Sequence, residues 1–211
     1  MSGVATPGST QEDAVPTGNT FDKYGSTNPV VRRLMASFHG ALDELWEHAR
    51  PRSVLDVGCG EGVLTDQWAD QLGDGRVVGI DLDDQKLRAE WATRQRPNLE
   101  FRCEEATSLS FADGEFDLAA AIEVLEHLPD AEATVAEMAR VAERHLLVSV
   151  PREPMWRGLN MARGAYWRSL GNTPGHVNHW SKRSFVSMLS RHGTVEEARS
   201  PFPWTMLLVR L

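Results

Sequence analysis

The chain has only two cysteines, Cys59 and Cys103, among its 211 residues, too few for a disulfide framework. It has no excess of positive charge. The formal net charge of -8 argues against generic nucleic-acid binding, because the phosphate backbone rewards a basic footprint. No apolar run approaches the roughly 20 residues of a membrane-spanning helix, and the first residues lack the apolar centre of a secretory signal. These absences leave the expectation of a reduced, soluble, cytoplasmic protein. Residues 1–20, "MSGVATPGSTQEDAVPTGNT", hold little to bury and read as a disordered tail. Residues 21–211 then form a single domain, long enough for a sizeable core.

What is present is a regular alternation. "NPVVRRLMASFHGALDELWEHA" starts on Asn28-Pro29 and places Val31, Leu34, Met35, Phe38, Leu42, Leu45 and Trp46 at helical steps, with Pro51 closing it. Short apolar strands follow: "SVLDV", "RVVGIDL", "LEFRC", "EFDLAAAIEV" and "RHLLVSVP". Between the first three lie "VLTDQWADQL", a helix ending near Gly73, and "DQKLRAEWATRQ", a helix stopped by Pro97. "DAEATVAEMARVA" precedes the fifth strand as a helix capped by Asp130. A last helix, "SKRSFVSMLSRHG", leads to two strands, "TVEEARS" and "WTMLLVRL". Helices between short buried strands imply right-handed crossovers and an α/β fold on a parallel sheet.

"RSVLDVGCGEGVL" is the first strand-to-helix turn, where a doubly wound sheet places its ligand. The dinucleotide fingerprint is G-x-G-x-x-G. Here Asp56 leads, and Gly58, Gly60 and Gly62 alternate with Cys59 and Glu61. A pyrophosphate site avoids such carboxylates; a ligand with a cationic tail is served by them. Asp81 ends the second strand at the position that takes a ribose hydroxyl pair in nucleotide folds. A nucleoside with a cationic tail describes S-adenosylmethionine.

With "VLDVGCGEG" followed by "VVGIDLD", the chain resembles the class I S-adenosylmethionine-dependent methyltransferases over about residues 53–150. Within them it looks most like the small-molecule branch of ubiquinone and menaquinone biosynthesis. The resemblance implies a Rossmann-like, seven-stranded, mostly parallel sheet flanked by helices, with the seventh strand antiparallel. It also implies that Glu105, with Ala106 beside it, takes the place of the acid that binds the adenine amino group, and that Leu82 packs on the adenine. Ile122 and Glu123 would line the methionine side, and Lys23 and Tyr24, before the first helix, could meet the cofactor carboxylate. Glu104-Glu105 departs from the family's usual Gly-Asp.

Methyl transfer asks the protein for orientation and exclusion of water, with a base where the acceptor carries a proton. His176 and His179 in "GHVNHW" are preferred candidates for that base, ahead of His127 in "EVLEHLPD". "EVLEH" lacks the second helical histidine of a zinc-protease helix, so no metal is expected. Residues 151–180 are too long for a plain connection and read as an acceptor or lid insertion. Met155, Leu159, Ala162, Tyr166 and Leu170 fall at helical steps, giving one amphipathic helix that "GNTPG" ends. Trp156, Arg157, Tyr166 and Trp180 are its candidate acceptor contacts. Core packing, a lid, and peripheral membrane contact through residues 151–170 are its three readings.

The expected activity is methyl transfer to a small-molecule acceptor, at an oxygen of an aromatic, anionic or prenyl-lipid-like compound. The alternatives are an NAD-dependent oxidoreductase and a nonenzymatic S-adenosylmethionine-binding module. Neither nucleic-acid binding nor any particular oligomeric state is implied.

Overall fold

A computed structural model describes residues 28–162, 164, 166 and 169–211. The tail, Lys23 and Tyr24 lie outside the described residues. Asn28 opens α1 (Pro29–Ala49) by accepting the Val30 amide hydrogen at 2.9 Å on its side chain, and Pro29 occupies the first turn, where no hydrogen-bond donor is needed. Arg50, in the left-handed region, ends the helix. Phe38, Leu42, Leu45, Trp46 and Ala49 form its buried face.

Strands and helices then alternate: β1 (Ser53–Val57), α2 (Val63–Leu72), β2 (Arg76–Asp81), α3 (Gln85–Trp91), β3 (Leu99–Cys103), β4 (Phe116–Ile122), a short 3-10 helix (Leu125–His127), α4 (Ala131–Val141) and β5 (Ala142–Pro151). The chain closes with α5 (Met155–Ala162), α6 (Lys182–Leu189), β6 (Thr194–Arg199) and β7 (Trp204–Arg210). The seven strands form one sheet in the order β3-β2-β1-β4-β5-β7-β6. β7 runs antiparallel to both of its neighbours, and the other pairings are parallel. This is the expected α/β architecture. Strand order reverses between β1 and β4, so the carboxyl ends of those two strands border the ligand crevice.

The pleat divides the core into two layers. On β1, Val54 packs with α1 and α2 residues such as Leu45, Trp46 and Trp68, while Leu55 and Val57 pack with Val135, Met138 and Phe185 of α4 and α6. On β4, Leu118 and Ala120 join the first layer, and Ala119 and Ala121 the second. All four are fully buried, so the alanines in this strand serve close helix-to-sheet packing.

Two helices are shorter than the sequence pattern suggests. α3 stops at Trp91 rather than at Pro97, because the chain turns at Thr93 and Arg94, whose amides bond to Glu90 and Trp91 carbonyls. That turn brings the Trp91 ring flat onto Phe101, with centroids 5.2 Å apart. The amphipathic helix expected to reach Leu170 stops at Ala162. Gly164, Tyr166 and Leu170 all have positive φ, a conformation that a right-handed helix cannot include. Tyr166 and Leu170 therefore do not continue the face of Met155 and Leu159.

Candidate active site

The turn after β1 is sewn to the end of β2. The amides of Gly58 and Cys59 both donate to the Ile80 carbonyl, at 2.8 and 3.0 Å. The Gly60 amide donates to Oδ2 of Asp81 at 2.7 Å, and Trp91 Nε1 donates to the Gly60 carbonyl at 2.7 Å. The three glycines have different duties. A Cβ on Gly58 would meet Val124 at 2.6 Å, and one on Gly62 would meet Phe101 at 2.6 Å. These two make room for the chain's own side chains. At Gly60 a Cβ would meet nothing within 4 Å, so Gly60 alone of the three offers open space beside its backbone.

Carboxylates surround that opening. Asp56 is buried at the end of β1, where its Oδ2 accepts from the Thr65 hydroxyl at 2.7 Å. Burial pushes its pKa up to about 7, with the Thr65 bond opposing and Asp81 adding to the rise. Asp81 also lies above its ordinary value through burial, although the Gly60 and Leu82 amides both donate to it. Each Asp81 oxygen keeps acceptor capacity beyond its one backbone bond. Leu82 beside it is exposed, an apolar surface at the lip of the crevice. Cys59 is driven far above the ordinary thiol value by burial and the neighbouring acids, so its sulfur stays a neutral thiol.

At the carboxyl end of β3, Glu104 is engaged, its carboxylate accepting from the Ser110 amide at 3.0 Å and hydroxyl at 2.6 Å. Glu105 and its side chain are exposed, with Ala106 half-buried next to it. The Glu-Glu pair thus divides the work: one holds the loop and the next reaches outward. At the end of β4, Ile122 is half-buried and Glu123 takes a left-handed conformation, φ 60°. The Glu123 carboxylate accepts from Trp204 Nε1 at 2.6 Å and from the Ser149 hydroxyl at 3.1 Å.

The histidines sort differently from the sequence expectation. His176 is buried and His179 is exposed. His176 meets His127 instead, edge to face, with ring centroids 4.8 Å apart. The loop is fastened to the 3-10 helix by Val177 and Asn178 amides on the Glu126 carbonyl, and by the Asn178 side chain on the Leu125 and Leu128 carbonyls. The acceptor candidates also separate. Trp156 packs in the α1 layer, tilted against Trp204 at 6.0 Å and roughly parallel to His176 at 6.1 Å. Trp180 packs in the opposite layer against Phe185. Arg157 stays close to Glu153 at 3.6 Å, and Tyr166 is exposed. Trp156 is thus brought to the histidine pair, while Trp180 is not.

Thr65, Ser149, Trp204 and Glu126 also belong to the site, although none of them is among the candidate residues that the sequence motifs point to. Thr65 and Trp204 carry a signal, being a hydroxyl in the first turn of the first crossover helix and an aromatic opening the last strand. Glu126, His127 and His176 needed the fold, since the loop that brings His176 in is distant in sequence.

The strand order 3-2-1-4-5-7-6, the glycine turn and the acid ending β2 are those of the class I S-adenosylmethionine-dependent methyltransferase fold. Residues 55–145 match the family described as "Methyltransferase domain". It is 35% identical over 108 residues to a ubiquinone biosynthesis O-methyltransferase of Neisseria meningitidis, covering 48% of this chain and 45% of that protein. It is 30% identical over 159 residues to 2-methyl-6-phytyl-1,4-hydroquinone methyltransferase of Synechocystis, covering 73% and 50%. The matches thus span about half the length of these relatives. A Pyrococcus horikoshii protein shares the fold with a TM-score of 0.66 at 20% identity, over 90% of this chain and 95% of the other. Magnesium protoporphyrin IX methyltransferase of Synechocystis, solved with bound S-adenosylhomocysteine, gives 0.62 at 18% identity over 88% and 89%. The cofactor of this family is S-adenosylmethionine. No helix among the described residues is long and apolar enough to cross a membrane.

Proposed function

We propose that this protein transfers the methyl group of S-adenosylmethionine to an oxygen of a small-molecule acceptor of the phenol or hydroquinone class. The observation that carries the reading is the open space at Gly60, framed by Asp81 on one side and buried Asp56 beneath. The pair suits a ribose held by Asp81 and a cationic tail that draws Asp56 into its ionised form. A nicotinamide dinucleotide would instead set its pyrophosphate against these acids, which the turn disfavours.

The cofactor, when bound, supplies an activated methyl group with a good leaving group. The chain's own residues then bind and orient. Asp81 would hold the ribose, Leu82 would cover the adenine face and exposed Glu105 would reach the adenine amino group. Ile122 and Glu123 would border the methionine end, where Trp204 and Ser149 hold the Glu123 carboxylate in place. Trp156, packed on Trp204 and beside His176, forms the wall that excludes water from the acceptor. The acceptor loses its proton at the cluster of Glu126, His127 and His176. The likeness to a ubiquinone biosynthesis O-methyltransferase supports oxygen as the target, and the likeness to a hydroquinone methyltransferase supports an aromatic acceptor. Exposed Leu170 and Val177 on the same insertion suit an acceptor with an apolar tail.

The test is transfer of isotope-labelled methyl groups to a panel of phenols, hydroquinones, amines and carboxylates. Labelled aryl ethers that require the protein support the reading. Labelled amines alone, or S-adenosylmethionine bound but never turned over with any acceptor, would contradict it.

A further inference from the structure

The loop that brings His176 against the 3-10 helix assembles more than a base. Glu126, His127 and His176 each present one donor atom, and these three atoms lie within 4.8 Å of one another. They are not a solvated acidic surface: Glu126 is 2% exposed, His176 is 9% exposed, and His127 is half-buried. His127 Nδ1 lies 3.0 Å from the Gly175 carbonyl. A carbonyl can only accept, so Nδ1 carries the hydrogen and Nε2 carries the lone pair. A backbone carbonyl fixing one imidazole nitrogen so that the other can ligate is the usual outer contact of a metal-bound histidine.

We propose that Glu126, His127 and His176 bind one divalent first-row transition-metal ion of the zinc class. One carboxylate and two imidazoles form a donor set suited to zinc, cobalt or manganese, and they leave at least one coordination position for an outside oxygen. Around a tetrahedral ion with bonds of about 2.1 Å, ligand atoms stand roughly 3.4 Å apart. The three donors therefore close inward by about an ångström on binding, a small rotation of the His176 ring and the Glu126 carboxylate. The backbone that sets their positions is already fixed. Val177 and Asn178 donate to the Glu126 carbonyl at 2.9 and 3.1 Å, and the Asn178 side chain holds the carbonyls of Leu125 and Leu128.

The site lies beside the cofactor crevice. Val124, which precedes the 3-10 helix, fills the space that a Cβ on Gly58 would occupy. An ion here would be a Lewis acid that binds an acceptor oxygen and lowers its pKa, so that the acceptor's proton leaves to water and the three side chains act as ligands rather than as the base. That role rests on the methyltransferase reading, whereas the binding of the ion does not. "EVLEH" lacks a second histidine one helical turn away, the pattern by which a zinc helix is recognised in sequence. The second histidine comes instead from the insertion after β5.

The experiment is calorimetric titration of chelator-treated full-length protein with zinc chloride, repeated with cobalt chloride while the visible spectrum is followed. Wild type is compared with Glu126→Gln, His176→Asn and His179→Ala, the last being an exposed histidine on the same loop. Circular dichroism and S-adenosylhomocysteine binding confirm that each variant is folded. One equivalent bound by wild type and by His179→Ala, with affinity at least about 100-fold lower in His176→Asn and Glu126→Gln, is the expected result. Cobalt should give a visible band that His176→Asn abolishes. Absence of stoichiometric binding by wild type, equal affinity in all four proteins, or loss in His179→Ala as well would overturn the assignment. Metal binding without S-adenosylhomocysteine binding would keep the site and remove the methyltransferase reading, so the two stand or fall separately.

Discussion

Trp204 Nε1 donates to Oε2 of Glu123 at 2.6 Å, joining the last strand to the carboxyl end of β4. Glu123 sits in a left-handed conformation, which disfavours any residue other than glycine and must be held by its surroundings. The indole therefore sets where this carboxylate lies relative to the crevice. Trp204→Phe keeps the aromatic packing on Phe38 and Trp156 but removes the hydrogen bond. A bond to a charged group is worth about 1.5–3 kcal/mol. The expected outcome is a rise of roughly ten- to a hundredfold in the cofactor KM, with a much smaller change in the unfolding midpoint. Steady-state kinetics beside thermal denaturation separates the two.

The glycines of the turn should respond differently to the same substitution. Gly58→Ala drives a methyl into Val124, at 2.6 Å, and should cost about 2 kcal/mol or more in folding stability. Val124→Ala should restore part of that loss. Gly60→Ala meets nothing within 4 Å and pays only for its positive φ, about 1 kcal/mol. Its methyl enters the space assigned to the cofactor, so it should weaken cofactor binding more than Gly58→Ala does relative to its stability cost. Denaturant titration and calorimetry on the two variants check this.

Burial of Asp56 makes binding depend on pH near neutrality. Its pKa is raised from 3.8 to about 7, so the protein without cofactor takes up a proton there as pH falls through 7. A cationic ligand favours the ionised carboxylate. Cofactor affinity should therefore rise between pH 6 and pH 8, and Asp56→Asn should flatten the profile at a weaker level. The contribution to stability has the opposite sense. A folded-state pKa above the unfolded value gives a stabilising contribution that is complete below about pH 4 and is lost as pH rises through 7. Denaturation of cofactor-free wild type and Asp56→Asn across that range measures it.

Arg140 holds together the loop that carries Glu105. It donates to the carbonyls of Leu109 and Phe111 and to the carboxylates of Glu137 and Asp113. Its guanidinium lowers Glu137 to about 2, aided by the Leu109 amide. The folded pKa lies below the ordinary 4.5, so this stabilisation is present at neutral pH and lost as pH falls through 4.5 towards 2. Arg140→Met should lower stability by about 1–2 kcal/mol at pH 7 and by much less at pH 3. It should also speed amide exchange at Leu109 and Ser110.

Much of this was written locally in the chain. β1, β2, β4 and β5 are short apolar runs bounded by turn residues, and α2 begins and ends at glycines, so period and punctuation located them. Asp56, Gly60 and Asp81 were legible because consecutive elements place them side by side. The acceptor end was not. Whether His176 faces His179 or His127 depends on how the insertion docks on the 3-10 helix, which Asn178 decides through contacts remote in sequence. Helical spacing likewise overran Ala162, since Tyr166 is not a residue whose type announces a left-handed backbone.

The most direct measurement of the central claim is calorimetric titration of wild type and Asp81→Ala with S-adenosylmethionine, S-adenosylhomocysteine and NAD. The account predicts micromolar binding of the first two to wild type, at least a tenfold loss in Asp81→Ala, and no binding of NAD. Binding of NAD alone would contradict it.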